Sequence, residues 1–186
     1  MLTGKKIVLG VSGGIAAYKM ANVASMLSKL HADIHVVMTE NATHFITPET
    51  FEVLTGNHCY TDTFDRCMEL HVPHIALGTQ ADAILIAPAS ADVVGKIANG
   101  IADDMLTTCV LPATCSVMLA PSMNVHMYEN PIVQDNMKKL ASYGYEIIEA
   151  DEGYLACRDI GKGKLPPEHV LVDYIIRACA MDKDLA

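Results

Sequence analysis

Four side chains in this sequence have the types and surroundings that acid–base or nucleophilic chemistry needs. His74 follows Pro73 ahead of an apolar run, and an imidazole there can move protons near neutral pH or serve only structurally. Cys157 lies in the run ACRDIGKGKL with Arg158 and Lys162 as cationic neighbours, which favours a thiolate; an inert half-buried thiol is the other reading. Asn124, in PSMNVHMY, offers an amide donor and an acceptor suited to fixing a carboxylate or amide. Ser12 sits in the run GVSGGIAA from Gly10. Gly10, Ser12 and Gly14 fit the G-x-S-x-G of serine hydrolases, but the match follows the first strand, where little sheet precedes it. The run is neither G-x-G-x-x-G nor a Walker loop, and its glycines opening a helix suit a mononucleotide phosphate better. His71 and His74 form an H-x-x-H with nothing nearby to complete a ligand set, so no metal is expected.

These residues need a scaffold, and the hydrophobic pattern supplies one. Short apolar runs at residues 5–11, 34–38, 83–87 and 116–120 read as buried strands, with a shorter one at 146–149. Helical periodicity covers residues 15–30, with further helices at 93–99, 104–111, 130–143 and 167–178. Thr47 followed by Pro48 marks another helix start. Apolar strands alternating with helices predict a three-layer, flavodoxin-like (Rossmann-type) α/β fold, a parallel sheet with helices on both faces. Ligands in such sheets lie beyond the carboxyl ends of the strands. The segments expected there are 10–15, 88–93, 121–128 and the glycine-punctuated loop of about 150–166, which reads as a mobile flap.

The chain has 186 residues and a net charge of −9, which suggests one domain, ordered over about residues 4–180, and speaks against a nucleic-acid footprint. No apolar run reaches the length of about 18 residues that a membrane span needs. The first residues lack a signal peptide's apolar region, so a cytoplasmic location is expected. The six cysteines are scattered without a C-x-x-C, and reduced thiols are the better reading.

Six runs in register are similar to those of the homo-oligomeric flavin-containing cysteine decarboxylases. They are GVSGGIAAYK at 10–19, HIAL at 74–77, APASA at 87–91, GKIANGIADD at 95–104, PSMNVHMY at 121–128 and ACRDIGKGKL at 156–165. The resemblance implies a trimer or dodecamer with FMN near a subunit boundary, and places residues 103–107 near the neighbouring subunit's flavin. It implies FMN contacts at Ser12, Gly13, Gly14, Ile15, Thr39, Ser90, Ala91, Asp92, Val93 and Ser122. It makes His74 the active-site histidine, places Asn124, Met127 and Ala156 on the substrate side, and makes Cys157 a proton donor on a substrate clamp. The reaction it implies is decarboxylation of 4′-phosphopantothenoylcysteine to 4′-phosphopantetheine for coenzyme A synthesis. Two electrons pass from the cysteine side chain to FMN. The resulting thioaldehyde accepts the electrons left by departing CO2, and hydride and proton return saturate the product.

The chain departs from the family pattern at Asp92 and Val93, where Asn and Thr are usual, at Tyr128 for Trp, and at Arg158 for Gly. Asp92 matters most, since it removes an amide donor and adds negative charge beside an anionic substrate. A peptidyl-cysteine decarboxylase is the nearest alternative, and the clamp cysteine argues against it. A flavin prenyltransferase and a non-enzymatic regulatory flavoprotein are further alternatives, against which the intact Asn124 and Cys157 segments speak.

Overall fold

The structure, a computed structural model, describes residues 1–64, 72–154 and 160–181. Six strands form one parallel sheet: β1 (Lys6–Val11), β2 (Asp33–Met38), β3 (Cys59–Tyr60), β4 (Ala83–Ala89), β5 (Ser116–Pro121) and β6 (Glu146–Ile147). Their order is β3-β2-β1-β4-β5-β6, so the chain reverses its direction of travel between β1 and β4. Val8 faces His35 on one side and Ile84 on the other, and Ile86 pairs with Leu119 on β5. The helices are α1 (Met20–Lys29), α2 (Pro48–Thr55), α3 (Pro73–Gln80), α4 (Ala91–Ala98), α5 (Met105–Val110), α6 (Val125–Tyr128), α7 (Pro131–Ser142) and α8 (Glu168–Met181). Two further strands, β7 (Asp151–Tyr154) and β8 (Ile160–Lys164), form a separate antiparallel hairpin.

The sheet is apolar on both faces because each strand alternates between two cores. Ile7, Leu9 and Val11 pack with Met20, Leu27, Phe51, Leu171 and Ile175 on one side. Val8, Ile84 and Ile86 pack with Leu77, Val94, Leu106, Val110 and Leu140 on the other. Each such large side chain, fully removed from water, contributes about 1.5–3 kcal/mol. The three-layer parallel expectation therefore holds.

Several boundaries move. The helix expected over residues 15–30 opens instead as a 3-10 helix, Ile15–Lys19, before α1 begins. The segment ahead of β4 is a helix, α3, started by Pro73 at its first turn. The flap is an ordered hairpin along both its strands. Among the described residues no helix is long and apolar enough to cross a membrane.

Asp82 ties the start of β4 to the start of β1. Its carboxylate accepts from Lys5 Nζ at 2.6 Å and from the Lys6 backbone N–H at 2.7 Å. Burial alone would raise the Asp82 carboxyl, but these hydrogen bonds and the charges of Lys5 and Lys6 outweigh it and hold the pKa below the usual range. A depressed folded-state pKa means stability that is present above the unfolded carboxylate pKa of about 4 and lost as pH falls through the folded value. Melting curves should accordingly show Asp82→Asn less stable than wild type at pH 6–7, with the gap closing below about pH 4. A gap independent of pH would refute this assignment.

Candidate functional site

The strand order puts the carboxyl ends of β1 and β4 side by side at the point where the chain reverses, the usual place for a ligand crevice in such a sheet. A cavity of about 470 Å³ opens there, within the range of cofactor and small-molecule sites. All four segments expected at the strand ends contribute to its wall. Gly13, Gly14 and Ile15 come from the turn after β1, Pro88, Ser90 and Ala91 from the end of β4. Ser122, Met123, Asn124 and Met127 follow β5, and Tyr154, Gly163 and Lys164 come from the hairpin.

Ser12 and Ser90 organise the junction between the two central strands. The buried Ser12 hydroxyl donates to Pro88 O at 2.6 Å and accepts the Ser90 N–H at 2.8 Å. Ser90 in turn caps α4, its Oγ accepting from Val93 N at 3.3 Å. Ser12 thus fixes the wall without lining it. Ser12→Ala removes the buried bond to Pro88 O and leaves the part-buried Ser90 N–H without this acceptor, and should cost about 2 kcal/mol, read as a lower Tm. An unchanged Tm would show that the junction holds without it.

Asn124 is held by its own helix start. Its Oδ1 accepts from His126 N at 2.9 Å as the N-cap of α6. Ser122 Oγ and Met123 N both donate to Gly163 O, at 3.2 and 3.0 Å, which docks β8 over this wall. The docking depends on glycine. Any Cβ at Gly163 would lie 2.3 Å from Met123 O, and one at Gly161 would lie 2.6 Å from Val125 Cγ2.

The other sequence-predicted residues are placed differently. Thr39 is buried and caps the short 3-10 helix Glu40–His44, its Oγ1 accepting from Ala42 N. Val93 is buried in the core of the α4 face. Asp92 is exposed on α4 and pairs with Lys96 at 3.3 Å. Lys96 also reaches Asp103 at 3.1 Å and Asp104 at 3.6 Å, so the charge at residue 92 belongs to a cluster centred on one cation. His74, half-buried near the start of α3, does not line the cavity. Its Nδ1 is buried and has no hydrogen-bond partner among the described residues. Ala156 and Cys157 lie outside the described residues.

The cavity has liners that sequence reading did not single out, among them Tyr18, Lys19, Tyr154 and Lys164. Tyr18 reaches the wall because its turn is a 3-10 helix, which only the structure reveals. In a 3-10 turn residues i and i+3 eclipse one another, so Ile15 and Tyr18 share a face and are 58% and 55% exposed.

Flat, small-residue walls suit a planar ring. Gly14 faces open space, since a Cβ there would meet nothing closer than Pro88 Cγ at 3.9 Å. With Ser90 and Ala91 beside it, this surface leaves room for a flat ring. Among the described residues no group of three or more His, Cys, Asp or Glu side chains is placed to hold a metal.

Comparison with known proteins follows this geometry. The chain is 49% identical over 172 residues to the coenzyme A biosynthesis bifunctional protein CoaBC of Bacillus subtilis, covering 92% of this chain and 42% of that one. The chain therefore spans under half the length of the first curated relatives it matches. It is 42% identical over 173 residues to a protein of Streptococcus mutans named probable phosphopantothenoylcysteine decarboxylase, covering 92% and 97% of the two chains. A PPC decarboxylase mutant solved with pantothenoylaminoethenethiol superposes with a TM-score of 0.83 at 28% identity, covering 93% and 97%. The FMN-dependent cysteine decarboxylase SpaF gives 0.82 at 34% identity, covering 96% and 99%. With residues 1–180 matched to the family model, and with a cavity whose glycine-floored wall lies at the sheet's crossover, the chain belongs to the Flavoprotein family.

Proposed function

We propose that this chain is an FMN-dependent decarboxylase that converts 4′-phosphopantothenoylcysteine to 4′-phosphopantetheine in coenzyme A biosynthesis. It would do so as a single domain in the cytoplasm, assembled as a homotrimer or a dodecamer. The observation that carries this reading is the convergence of Gly13–Gly14, Ser90–Ala91, Ser122 and Asn124 on one cavity at the sheet's crossover. It is supported by the similarity to a relative whose length the chain covers almost completely.

FMN, when bound, supplies a reversible two-electron acceptor. Gly13, Gly14, Ile15, Ser90, Ala91 and Ser122 would hold it, with Ser12 and Thr39 supporting the wall and Asp92 and Val93 setting the first turn of α4. Asn124, oriented by the hydrogen bond its side chain accepts from the His126 N–H, would grip the substrate carboxylate with Met127 packed beside the substrate. This fixes the scissile bond so that CO2 departs along one direction. Ala156 would lie on the substrate side, and Cys157 would give a proton to the decarboxylated product. His74 would act on the cavity of a neighbouring subunit, where its buried Nδ1, without a partner among the described residues, finds a polar group to hold or exchange a proton with. The exposed Val72 and Ile75 beside it are the kind of surface such an interface covers.

The test is direct. The purified protein should be yellow, release FMN on denaturation, and liberate CO2 from 4′-phosphopantothenoylcysteine in step with 4′-phosphopantetheine. Light scattering should give three or twelve subunits. Flavin-replete protein that releases no CO2 would reject the reading.

A further inference from the structure

The charged side chains that line the cavity are all of one sign. Lys19, at the end of the 3-10 helix, and Lys164, on β8, reach its wall, and no carboxylate does so among the described residues. This is unusual for a chain carrying 22 acidic residues against 13 basic ones. Nor are these lysines committed elsewhere. Lys5, Lys96 and Lys162 each pair with carboxylates, whereas no ion pair to Lys19 or Lys164 closes among the described residues. Asp151 is the register partner of Lys164 across the hairpin, yet the two do not pair. A concave, mostly apolar wall bearing only cations concentrates field lines, and it attracts a compact anion in a protein whose overall charge repels one.

We propose that Lys164, assisted by Lys19, is the specificity-determining pair that reads the terminal phosphate monoester of the substrate, and that it makes the enzyme selective for the phosphorylated compound over its dephosphorylated counterpart. The inference rests on the decarboxylase reading above and deepens it. Lys164 lies one residue beyond Gly163, whose carbonyl docks the hairpin on Ser122 and Met123. Its charge is therefore delivered to the cavity by the same strand that follows the Cys157 segment. A bound phosphate monoester would then hold the hairpin closed while the cysteine end reacts, coupling recognition of one end of the substrate to catalysis at the other. FMN carries a phosphate of the same chemistry, so cofactor and substrate must be separated by experiment.

The flavin-loaded protein is prepared as wild type, Lys164→Gln, Lys164→Arg, Lys19→Gln and the double glutamine variant. Flavin content is read from absorbance. Calorimetry gives the affinity ratio of 4′-phosphopantetheine to pantetheine, and CO2 release gives the kcat/KM ratio of 4′-phosphopantothenoylcysteine to pantothenoylcysteine. Charge-assisted contacts of this kind lead us to expect a wild-type preference for the phosphorylated compounds of about tenfold to a hundredfold. That preference should fall about tenfold in Lys164→Gln, be largely kept in Lys164→Arg, and vanish in the double variant at unchanged flavin content. Higher ionic strength should also erode it, since both cations are partly solvated. A wild type without preference overturns the proposal, as does a preference that survives the double variant. Loss of FMN in parallel with the lysines also overturns it, by giving the pair to the cofactor's phosphate. If the wild type decarboxylates neither compound, the decarboxylase reading fails by itself, and the calorimetric ratio still decides the lysines' role.

Discussion

Replacing Gly163 with alanine should lower decarboxylation by about a hundredfold or more while leaving the chain folded. The added Cβ would sit 2.3 Å from Met123 O, a backbone atom that cannot swing aside as a side chain does. The φ of Gly163 is +140°, where a residue with a Cβ is strained by about 1–3 kcal/mol. Both costs are relieved if β8 lifts off, breaking the bonds from Met123 N and Ser122 Oγ to Gly163 O. The hairpin forms its own two-stranded sheet outside the main one, so this release need not unfold the domain. Global stability should fall by only about 1–3 kcal/mol, whereas a displacement of about 1 Å in a clamp can cost a hundredfold in rate. Gly161→Ala should be milder, because its clash is with a side chain, Val125, rather than with backbone, and its φ lies outside the left-handed region. Full activity with an unshifted Tm in Gly163→Ala would show that hairpin docking plays no part.

Asn124→Asp should abolish turnover, by about a thousandfold or more, with almost no change in Tm. Aspartate caps a helix as well as asparagine, so the bond from His126 N to the side-chain oxygen survives. What changes is the cavity side of the group. An amide donor becomes a carboxylate, and a like charge is set against the substrate carboxylate in a partly desolvated pocket. The lost charge-assisted bond and the new repulsion add, each being worth about 2 kcal/mol. Steady-state kinetics and a melting curve on one preparation separate the two effects. If kcat/KM falls less than tenfold, Asn124 does not hold the carboxylate.

Much of the site's framework was legible before the fold was known, because its parts coincide with breaks in strong patterns. Gly13–Gly14, Ser90–Ala91 and Ser122–Asn124 each end an apolar run, and in a parallel sheet such ends gather on one edge. Less legible were elements with weak local signals. β3 is two residues long, too short for any period to register. α3 was announced only by Pro73 at its first turn. The hairpin showed no apolar alternation because its inward positions, Gly161 and Gly163, pack through backbone rather than through side chains. Its repeat of glycine and lysine therefore reads as a flexible loop.

By itself the sequence determined the layering and the ligand edge, since hydrophobic alternation on both faces of a strand permits only a sheet covered on both sides. Only the tertiary structure decided what each polar side chain does at that edge. Ser12 and Thr39 turn inward to satisfy backbone groups, Asp92 joins the cluster around Lys96, and Lys19 and Lys164 face the cavity. The reason is physical: burial of an apolar residue is set by its own type, whereas a hydroxyl, an amide or a charge takes its role from whichever partner the fold brings within about 3 Å.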